Sequence, residues 1–243
     1  MIIFAASKNI NPSELSALIY PITKGYLVAE RNKDNQLHSL KICNELNEIS
    51  EQYQSSTFYS NSINFTLLPK LSVELLPEDD VKAFLKWEKQ IPIHINNITL
   101  NEVAFIFQHE TLPLTSKLPS VKISHLGEVL VTSILQKNWK EGIMTLCVDS
   151  QLVIAVIKDG HLQVCNLFEV NNNDEIIYYV MLMIQEYQLS QENVIVEIYG
   201  ELTEEAYIQD NLTSFLRKIT SLAHPQIKNL KYSGLAQFIE QNS

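Results

Sequence analysis

The side chains that could do chemistry in this sequence are few and widely spaced. Six histidines show no HxH, HxxxH or HExxH spacing, so the sequence predicts no metal site. We interpret them as ordinary surface and turn residues: His38, His94, His109, His125, His161 and His224. No GxSxG, P-loop or Rossmann fingerprint is present, which argues only against those familiar chemistries.

Three cysteines, Cys43, Cys147 and Cys165, lie far apart and form no CxxC motif. An odd number does not fit a complete disulfide framework, so a reducing compartment and a cytoplasmic location are expected. Cys147 and Cys165 fall on apolar runs that should be buried. A buried thiol packs as a small hydrophobe, and we therefore expect core packing from both.

Acidic residues cluster at 78–80 and 174–175, where helices are expected to begin. Acids stabilise the helix dipole at such positions whatever the protein does. Asp149 is different because it stands at the end of a predicted strand. It is the one carboxylate that we keep as a candidate for chemistry, although a turn role would also explain it.

Composition narrows the class of protein further. The 243 residues are 46% hydrophobic and 19% charged, which predicts a folded chain with a sizeable core. With 18 basic and 28 acidic residues the net charge is −10, so nucleic acid and anionic membrane surfaces are poor partners. The apolar stretches 152–157 and 178–184 are too short to cross a bilayer, and the first residues do not form a signal peptide.

The second half shows the clearest local structure. Three β-rich runs are separated by short breaks: 143–148, 152–157 and 161–168. The Asp159-Gly160 pair predicts a type I′ hairpin, and 152–157 is apolar on both faces, as in a covered strand. A helix at 176–189, a strand at 194–199 and an amphipathic helix from Thr203 to Lys218 should follow.

The first half repeats this order more faintly. Its expected strands are 15–20, 26–30 and 36–42, followed by a helix at 44–53 and a strand at 65–68 that Pro69 ends. A helix at 78–87, a strand at 103–107 and a helix at 125–135 are predicted next. We infer a duplicated architecture with subdomains at 1–138 and 139–225, and a C-terminal helix within 226–243 that packs back on the first subdomain.

The α/β order of strand, strand, strand, helix, strand, helix, used twice, is the plan of the actin, hexokinase and Hsp70 superfamily with its ribonuclease H-like subdomains. The chain more closely resembles an uncharacterised bacterial family, a domain of unknown function with an actin-like ATPase fold. The segments that carry this resemblance are 65–69 (FTLLP), 161–168 (HLQVCNLF), 174–179 (DEIIYY) and 198–201 (IYGE). The resemblance implies two lobes with a ligand cleft between them.

Nucleotide-binding members of the superfamily clamp phosphates with two Asp-x-Gly turns and receive adenosine at a glycine pair, because backbone N–H groups approach phosphate closely only where side chains are absent. Here the first turn would be 20–25, in which Pro21 removes a donor. The second would be 148–151, which keeps Asp149 but has no glycine. Gly200 alone would remain at the adenosine site, and the whole chain has only 6 glycines.

Two hypotheses follow from the resemblance. In the first, the protein is a non-catalytic actin-like scaffold, a pseudo-ATPase without cofactor that binds another protein. In the second, it is a divergent nucleotide or small-molecule binding protein, or a kinase-like enzyme, with Asp149, Ser150 and Gly200 lining the pocket.

Overall fold

The computed structural model describes residues 1–6, 10–85, 90–98, 103–201, 205–221 and 231–241. The chain divides into two compact units, Met1–Glu128 and Val129–Ser243. This division falls earlier than the predicted boundary after residue 138, and the predicted subdomain limits stay a prediction. Each unit is built on its own mixed β-sheet.

The first unit contains nine strands and three short helices among the described residues. Its strands are β1 (Ile2–Ala5), β2 (Ser16–Ile22), β3 (Gly25–Arg31), β4 (Leu37–Cys43), β5 (Ser55–Ser60), β6 (Phe65–Pro69), β7 (Ile93–Ile98), β8 (Val103–Gln108) and β9 (Lys122–His125). Its helices are α1 (Lys70–Leu75), α2 (Glu78–Ala83) and α3 (Leu112–Lys117). The helix α4 (Leu126–Gln136) continues across the division into the second unit.

The main sheet of the first unit has the strand order β1-β4-β3-β2-β5-β9. The hairpins β2–β3 and β3–β4 are antiparallel, whereas β2, β5 and β9 run parallel to one another. A second sheet, β6-β8-β7, is fully antiparallel and carries α1 and α2 on one face through a core of Val81, Leu85, Ala104 and Ile106.

The second unit has five strands and three helices after α4 in the described residues. They are β10 (Glu141–Val148), β11 (Gln151–Lys158), β12 (His161–Glu169), α5 (Asn173–Glu186), β13 (Ile195–Gly200), α6 (Glu205–Thr213), β14 (Lys218–Ser221) and α7 (Ser233–Gln241). The sheet order is β12-β11-β10-β13-β14, with β10, β13 and β14 parallel. Every residue of 152–157 is buried, which confirms that β11 is covered on both faces.

The two main sheets share one topology. If the strands of each unit are counted from its first hairpin, both sheets have the order 3-2-1-4-5, and β1 is an additional strand beside the third. The third strand of each unit also carries one extra residue close to the hairpin, His38 in β4 and Gln163 in β12. A β-bulge shifts the pairing register, so its recurrence at one place marks the same local construction. The predicted pair of ribonuclease H-like subdomains in an actin-like fold is confirmed.

Several element predictions in the first half are wrong. Residues 44–53 contain only a 3-10 turn, Leu46–Glu48, where a helix was predicted, and the fourth strand of the sheet is β5 rather than 65–68. Leu46, Ile49 and Tyr53 still face the core, but along an irregular segment. Residues 65–69 pair with β8 in the second sheet. Part of the predicted helix 78–87, including Trp87, lies outside the described residues.

The end of the second unit also differs from its prediction. The helix expected to reach Lys218 ends at Thr213, because Lys218–Ser221 forms β14 beside β13. Its predicted N-cap, Thr203, lies outside the described residues. Helix α7 packs on β10 and β13, where Phe238 meets Tyr199 edge-on at 5.2 Å between ring centroids. The predicted packing of this helix on the first unit stays a prediction.

Candidate functional site

The three candidate residues lie together at one end of the second sheet. Asp149 and Ser150 form the two-residue turn between β10 and β11, and Gly200 is the last residue of β13, directly beside Cys147 of β10. Because β10 and β13 are parallel, their carboxyl ends meet at this edge, where ligands bind in open α/β sheets. The grouping of Asp149, Ser150 and Gly200 follows from this topology.

The turn itself is left-handed at both positions. Asp149 has φ 47° and Ser150 has φ 63°, and neither is glycine. Two successive positive φ angles define a type I′ turn, which matches the twist of the flanking strands. A side chain at each position carries a steric cost and occupies space that glycine would leave open.

Gly200 is required by the neighbouring strand. Its φ is +115°, and a Cβ atom there would lie 2.0 Å from the carbonyl oxygen of Cys147. The following residue, Glu201, donates its backbone N–H to that same carbonyl at 2.8 Å. The close approach of β10 and β13 therefore explains this glycine without any ligand.

A buried glutamate, which sequence reasoning did not select, occupies the centre of the site. The Glu201 side chain is 2% exposed, and its Oε2 lies 2.9 Å from Nζ of Lys231. The backbone N–H of Asp149 also donates to this carboxylate. The chain thus supplies an anion of its own to the turn between β10 and β11.

The charges around Glu201 are strongly coupled. Burial raises the pKa of Glu201, with a smaller contribution from the Asp149 charge, although Lys231 opposes both. Burial alone would lower the pKa of Lys231, but its hydrogen bond to Glu201 and the nearby negative charges, mainly that of Glu201, together outweigh burial and raise the pKa. Burial and the Glu201 charge raise the pKa of the neighbouring Tyr232. Among the described residues, Oε1 of Glu201 has no hydrogen-bond partner.

At the equivalent turn of the first unit, the backbone of a neighbouring strand likewise lies directly against a glycine. Ile22 pairs with Gly25, so the turn consists of Thr23 and Lys24 alone, and Pro21 lies within β2 rather than in the turn as predicted. A Cβ atom on Gly25, whose φ is +124°, would lie 2.2 Å from the carbonyl oxygen of Cys43.

The interpretation of the histidines as surface and turn residues is wrong for three of them. His125 is fully buried, donates Nε2–H to the Ser62 carbonyl at 2.8 Å and accepts the Gly127 N–H at Nδ1. Burial lowers the pKa of His125 to about 4. His94 and His109 are half-buried, and their pKa values are lowered for the same reason, to about 4 for His109.

These histidines are packed among aromatic rings. His125 packs against both Phe65 and Phe105, with ring centroids 4.7 and 4.9 Å away, and these two rings also stack on each other. His94 stacks on Phe107 at 5.1 Å. The fully buried imidazole of His125 is therefore a core side chain, and the half-buried His94 packs on the same aromatic group through Phe107.

The structural roles predicted for other polar residues are confirmed. Cys147 and Cys165 are buried, and burial raises the pKa of both thiols, to about 12 for Cys147. Asp174 and Glu175 lie in the first turn of α5, where Asn172 accepts the Glu175 N–H at 3.0 Å.

Glu201 could have been noticed because it follows Gly200 at a strand end. Its partner Lys231 could not, since no local pattern joins two residues so far apart in the chain.

The fold and this strand-end site place the chain in the class of actin-like ATPase folds. A solved protein of unknown function with an actin-like ATPase fold, from Bacteroides thetaiotaomicron, superposes with a TM-score of 0.70 at 16% identity, over 88% of this chain and 94% of that one. The PilM–PilN type IV pilus biogenesis complex gives a TM-score of 0.60 at 8% identity, over 96% of this chain and 100% of that one.

The chain belongs to the DUF3822 family of proteins of unknown function, whose family model matches residues 13–219. None of the curated proteins compared matches the chain. No helix in the described part is long and apolar enough to cross a bilayer.

Proposed function

We propose that this protein is a non-catalytic member of the actin-like fold that acts by binding another protein. The observation that carries the proposal is the Glu201 carboxylate at the Asp149 turn. A turn of this kind binds phosphate in catalytic relatives by offering backbone N–H groups to an anion. Here the Asp149 N–H is directed to Glu201, and Lys231 neutralises the same carboxylate.

Charge disfavours a triphosphate at this turn. Glu201 is buried and Asp149 is close enough to interact with its charge, so an incoming phosphate would meet two carboxylates and the single ammonium of Lys231. Like charges brought together in a poorly solvated site repel strongly. Neither glycine near these turns needs a phosphate to explain it, because Gly25 at the first turn and Gly200 at the end of β13 each lie against the backbone of a neighbouring strand.

The protein-binding part of the proposal rests on analogy within the fold. The PilM–PilN complex has this fold in an assembly of two different proteins, which shows that the scaffold serves protein recognition elsewhere. We further propose a cytoplasmic location, since Cys43, Cys147 and Cys165 are all free thiols.

A thermal-shift screen tests the absence of nucleotide chemistry. The full chain is heated with Mg-ATP, ADP, GTP and sugars, each near its highest soluble concentration. A ligand that binds only the native state at about 100 times its Kd would stabilise it by about 2.7 kcal/mol, which is readily detected. We expect no shift with any of them. A nucleotide shift that disappears in Asp149→Ala would contradict the proposal.

The protein partner is tested by crosslinking in the cell of origin, followed by binding of the identified partner to purified chain. We expect saturable binding of one protein that Mg-ATP does not change. Turnover of a small molecule by purified chain, with no protein crosslinked, would exclude the proposal.

A second function, binding of a polar small molecule by Asp149, Ser150 and Gly200 at the same strand ends, is favoured by one observation. Glu201 Oε1 is buried and accepts no hydrogen bond from the described residues. A buried carboxylate oxygen without a donor is costly, and a sugar hydroxyl would satisfy it. The sugars in the screen test this alternative, which predicts a stabilisation that Glu201→Gln abolishes.

A further inference from the structure

The second sheet of the first unit, β6-β8-β7, has an open edge at β7. This strand, Ile93–Ile98, pairs antiparallel with β8 on one side. In the described part of the chain, no strand pairs with its other side. An unpaired edge presents a row of backbone N–H and C=O groups that can hydrogen-bond to another extended chain.

The backbone groups on the open side of β7 can be identified from the ladder. His109 donates its N–H to the Pro92 carbonyl at 3.2 Å, and this contact continues the pairing of β8 with β7. Hydrogen-bonded pairs alternate along an antiparallel ladder, so the even-numbered residues of β7 bond to β8. The N–H and C=O groups of Ile93, Ile95 and Asn97 therefore point to the open side, where no described group bonds to them.

The two faces of β7 differ in how far they are covered. Asn96 faces the main sheet, where its Nδ2 donates to the Ile123 carbonyl at 3.1 Å and to Oε2 of Glu128 at 2.7 Å. On the other face Ile93 packs against the core beneath α1 and α2, whereas Ile95 is 45% exposed. Alternate side chains share a face of a strand, so Ile95 extends the apolar surface of Ile93 beyond the part that the helices cover.

The strand β7 lacks the residues that usually protect an open edge. Its sequence, IHINNI, contains no Lys, Arg, Asp, Glu or Pro. Charged side chains, prolines and bulges normally discourage pairing at an edge, and the register of β7 with β8 is unbroken. The two hydrogen bonds of Asn96 hold the strand in place. A binding partner would therefore meet a preformed edge and pay the ordering entropy of its own segment only.

We propose that β7 is the docking edge for a protein partner, which adds an extended segment to the β6-β8-β7 sheet as a fourth strand. This inference rests on the proposed function, because it names the surface by which the chain would bind another protein. Strand addition draws affinity from main-chain hydrogen bonds and specificity from the side chains that alternate along the added strand. Ile93, Ile95 and Asn97 supply the main-chain donors and acceptors.

Charge indicates which kind of segment fits this edge. The chain carries a net charge of −10, so a second copy would be repelled, whereas a basic segment would be attracted. The helix layer beside β7 has the same sign, because residues 70–85 contain four acidic and two basic residues. Asp79 and Asp80 of this layer are exposed. The expected segment therefore places an apolar side chain beside Ile95 and carries lysine or arginine at its ends.

Peptide binding to the full chain, followed by ¹⁵N–¹H spectra and amide exchange, tests this edge. The probe is a peptide of alternating valine and threonine with a lysine at each end. At saturation we expect the amides of Ile93, Ile95 and Asn97 to shift and to exchange more slowly, and those of His94 and Asn96, which bond to β8, to change less. The same peptide with terminal glutamates should bind about tenfold more weakly. A peptide N-methylated at every second residue, on the side that pairs, should not bind.

Two substitutions of Ile95 block the edge without breaking the ladder. Ile95→Pro removes an outward N–H that β8 does not use, and Ile95→Lys places a positive charge beside the incoming lysines. Each should weaken peptide binding at least about tenfold. Ile63→Lys is the matched control, because Ile63 is an apolar residue of the same unit that is 71% exposed, and it should leave binding unchanged.

Three results would overturn the docking edge. The first is that the outward amides of β7 stay unprotected with every peptide, and the second is that binding survives both Ile95 variants. The third is protection that rises with chain concentration without peptide, since a second copy would then occupy the edge. A cellular partner that both variants still bind would refute this edge and leave the proposed function intact. Nucleotide binding at the Asp149 turn would count against the proposed function whatever happens at β7.

Discussion

The two units share a sheet topology and a bulge, yet their buried glutamates are treated in opposite ways. In the first unit Glu30 receives hydrogen bonds from Ser39, Lys41 and Tyr53 at 2.5 to 2.6 Å. Burial alone would raise the pKa of Glu30, but these donors and the Lys41 charge outweigh it and lower the pKa. In the second unit Glu201 has one oxygen without a described partner, and its pKa is raised.

This difference separates a structural carboxylate from one held at a strand end. Glu30 lies within β3 and is satisfied by neighbours on β4 and by Tyr53, so it stabilises the sheet around it. Glu201 follows β13 beside the Asp149 turn, and its Oε1 has no hydrogen-bond partner among the described residues. The two units of this fold therefore hold one buried carboxylate that is fully hydrogen-bonded and another that is only partly paired.

The largest effect is expected at the two glycines that touch a neighbouring strand. Gly200→Ala would place Cβ 2.0 Å from the Cys147 oxygen, and Gly25→Ala would place it 2.2 Å from the Cys43 oxygen, both at positive φ. Backbone cannot yield cheaply, so each should lower the free energy of unfolding by about 3 kcal/mol or more. Chemical denaturation measures the change.

Gly160→Ala is the matched control, because its φ is +78° but nothing lies within 4 Å of the added Cβ. It should cost only about 1 kcal/mol, the strain of a left-handed alanine. Equal losses at Gly160 and Gly200 would show that backbone conformation alone, and not the strand contact, requires Gly200.

Substitution of the two glutamates by glutamine sharpens the contrast between the units. Glu30→Gln breaks charge-assisted hydrogen bonds and should cost about 2 kcal/mol at pH 7. Glu201→Gln removes a buried charge as well as an ion pair and should change stability by less than about 1 kcal/mol. Denaturant titration of both variants checks this, and a larger loss at Glu201 would contradict the comparison.

The lowered pKa of Glu30 determines how its contribution to stability changes with pH. Its folded pKa lies below its unfolded value, so its contribution is complete above the unfolded pKa of about 4.5 and is lost as pH falls through the folded value. The Glu30→Gln variant should accordingly lose less stability on acidification than the unmodified protein.

Acid should destabilise the first unit through His125. Its pKa is about 4 when folded, against about 6.5 unfolded, so the unfolded chain binds the proton more readily. The contribution of His125 to the free energy of unfolding is complete above pH 6.5 and is lost as the pH drops toward 4. At pH 5 the loss from this residue alone is about 2 kcal/mol. Hydrogen exchange resolved by segment should show earlier opening of β6 and β8 at pH 5 than at pH 7.

The exposed His161 is the control for this effect, and His161→Gln should leave the acid response unchanged. If His125→Gln also left it unchanged, the buried imidazole would not be its source.

The smallest effect is expected at the left-handed turn of the second unit. Ser150→Gly removes a side chain from φ 63° and should raise the free energy of unfolding by about 1 kcal/mol. Thr23→Gly, at the equivalent turn without positive φ, should instead lower it slightly. Thermal denaturation of the two variants tests whether the turns differ in strain, and a gain at Thr23 would refute that difference.

Local patterns predicted much of the second unit. The Asp159-Gly160 turn forms with φ 53° and 78°, and the apolar run 152–157 is buried throughout, because both signals depend only on neighbouring residues. The elements of the first unit were harder to predict from the sequence. Strand β5, SSTFYS, buries Phe58 and Ser60 but has a polar sequence, so its apolar run was too short to detect.

The site was only partly predictable, because only its local features can be recognised in the sequence. Asp149, Ser150 and Gly200 mark strand ends, which are visible in a sequence. The meeting of Glu201 with Lys231 and the Asp149 N–H depends on tertiary folding, and no spacing rule reveals it. Likewise, Ile123 and His125 alternate with polar residues in β9, but residues 125–135 were predicted as a helix, and that assignment hid the inward position of His125.

The central claim is that Glu201 holds the anion position of the Asp149 turn, and the amide resonance of Asp149 tests it directly. In ¹⁵N–¹H spectra of the full chain, Mg-ATP should leave this resonance unmoved, whereas Glu201→Gln should shift it strongly through loss of the charged acceptor. A saturable shift of the Asp149 amide with Mg-ATP in the unmodified protein, or no shift in Glu201→Gln, would contradict the account.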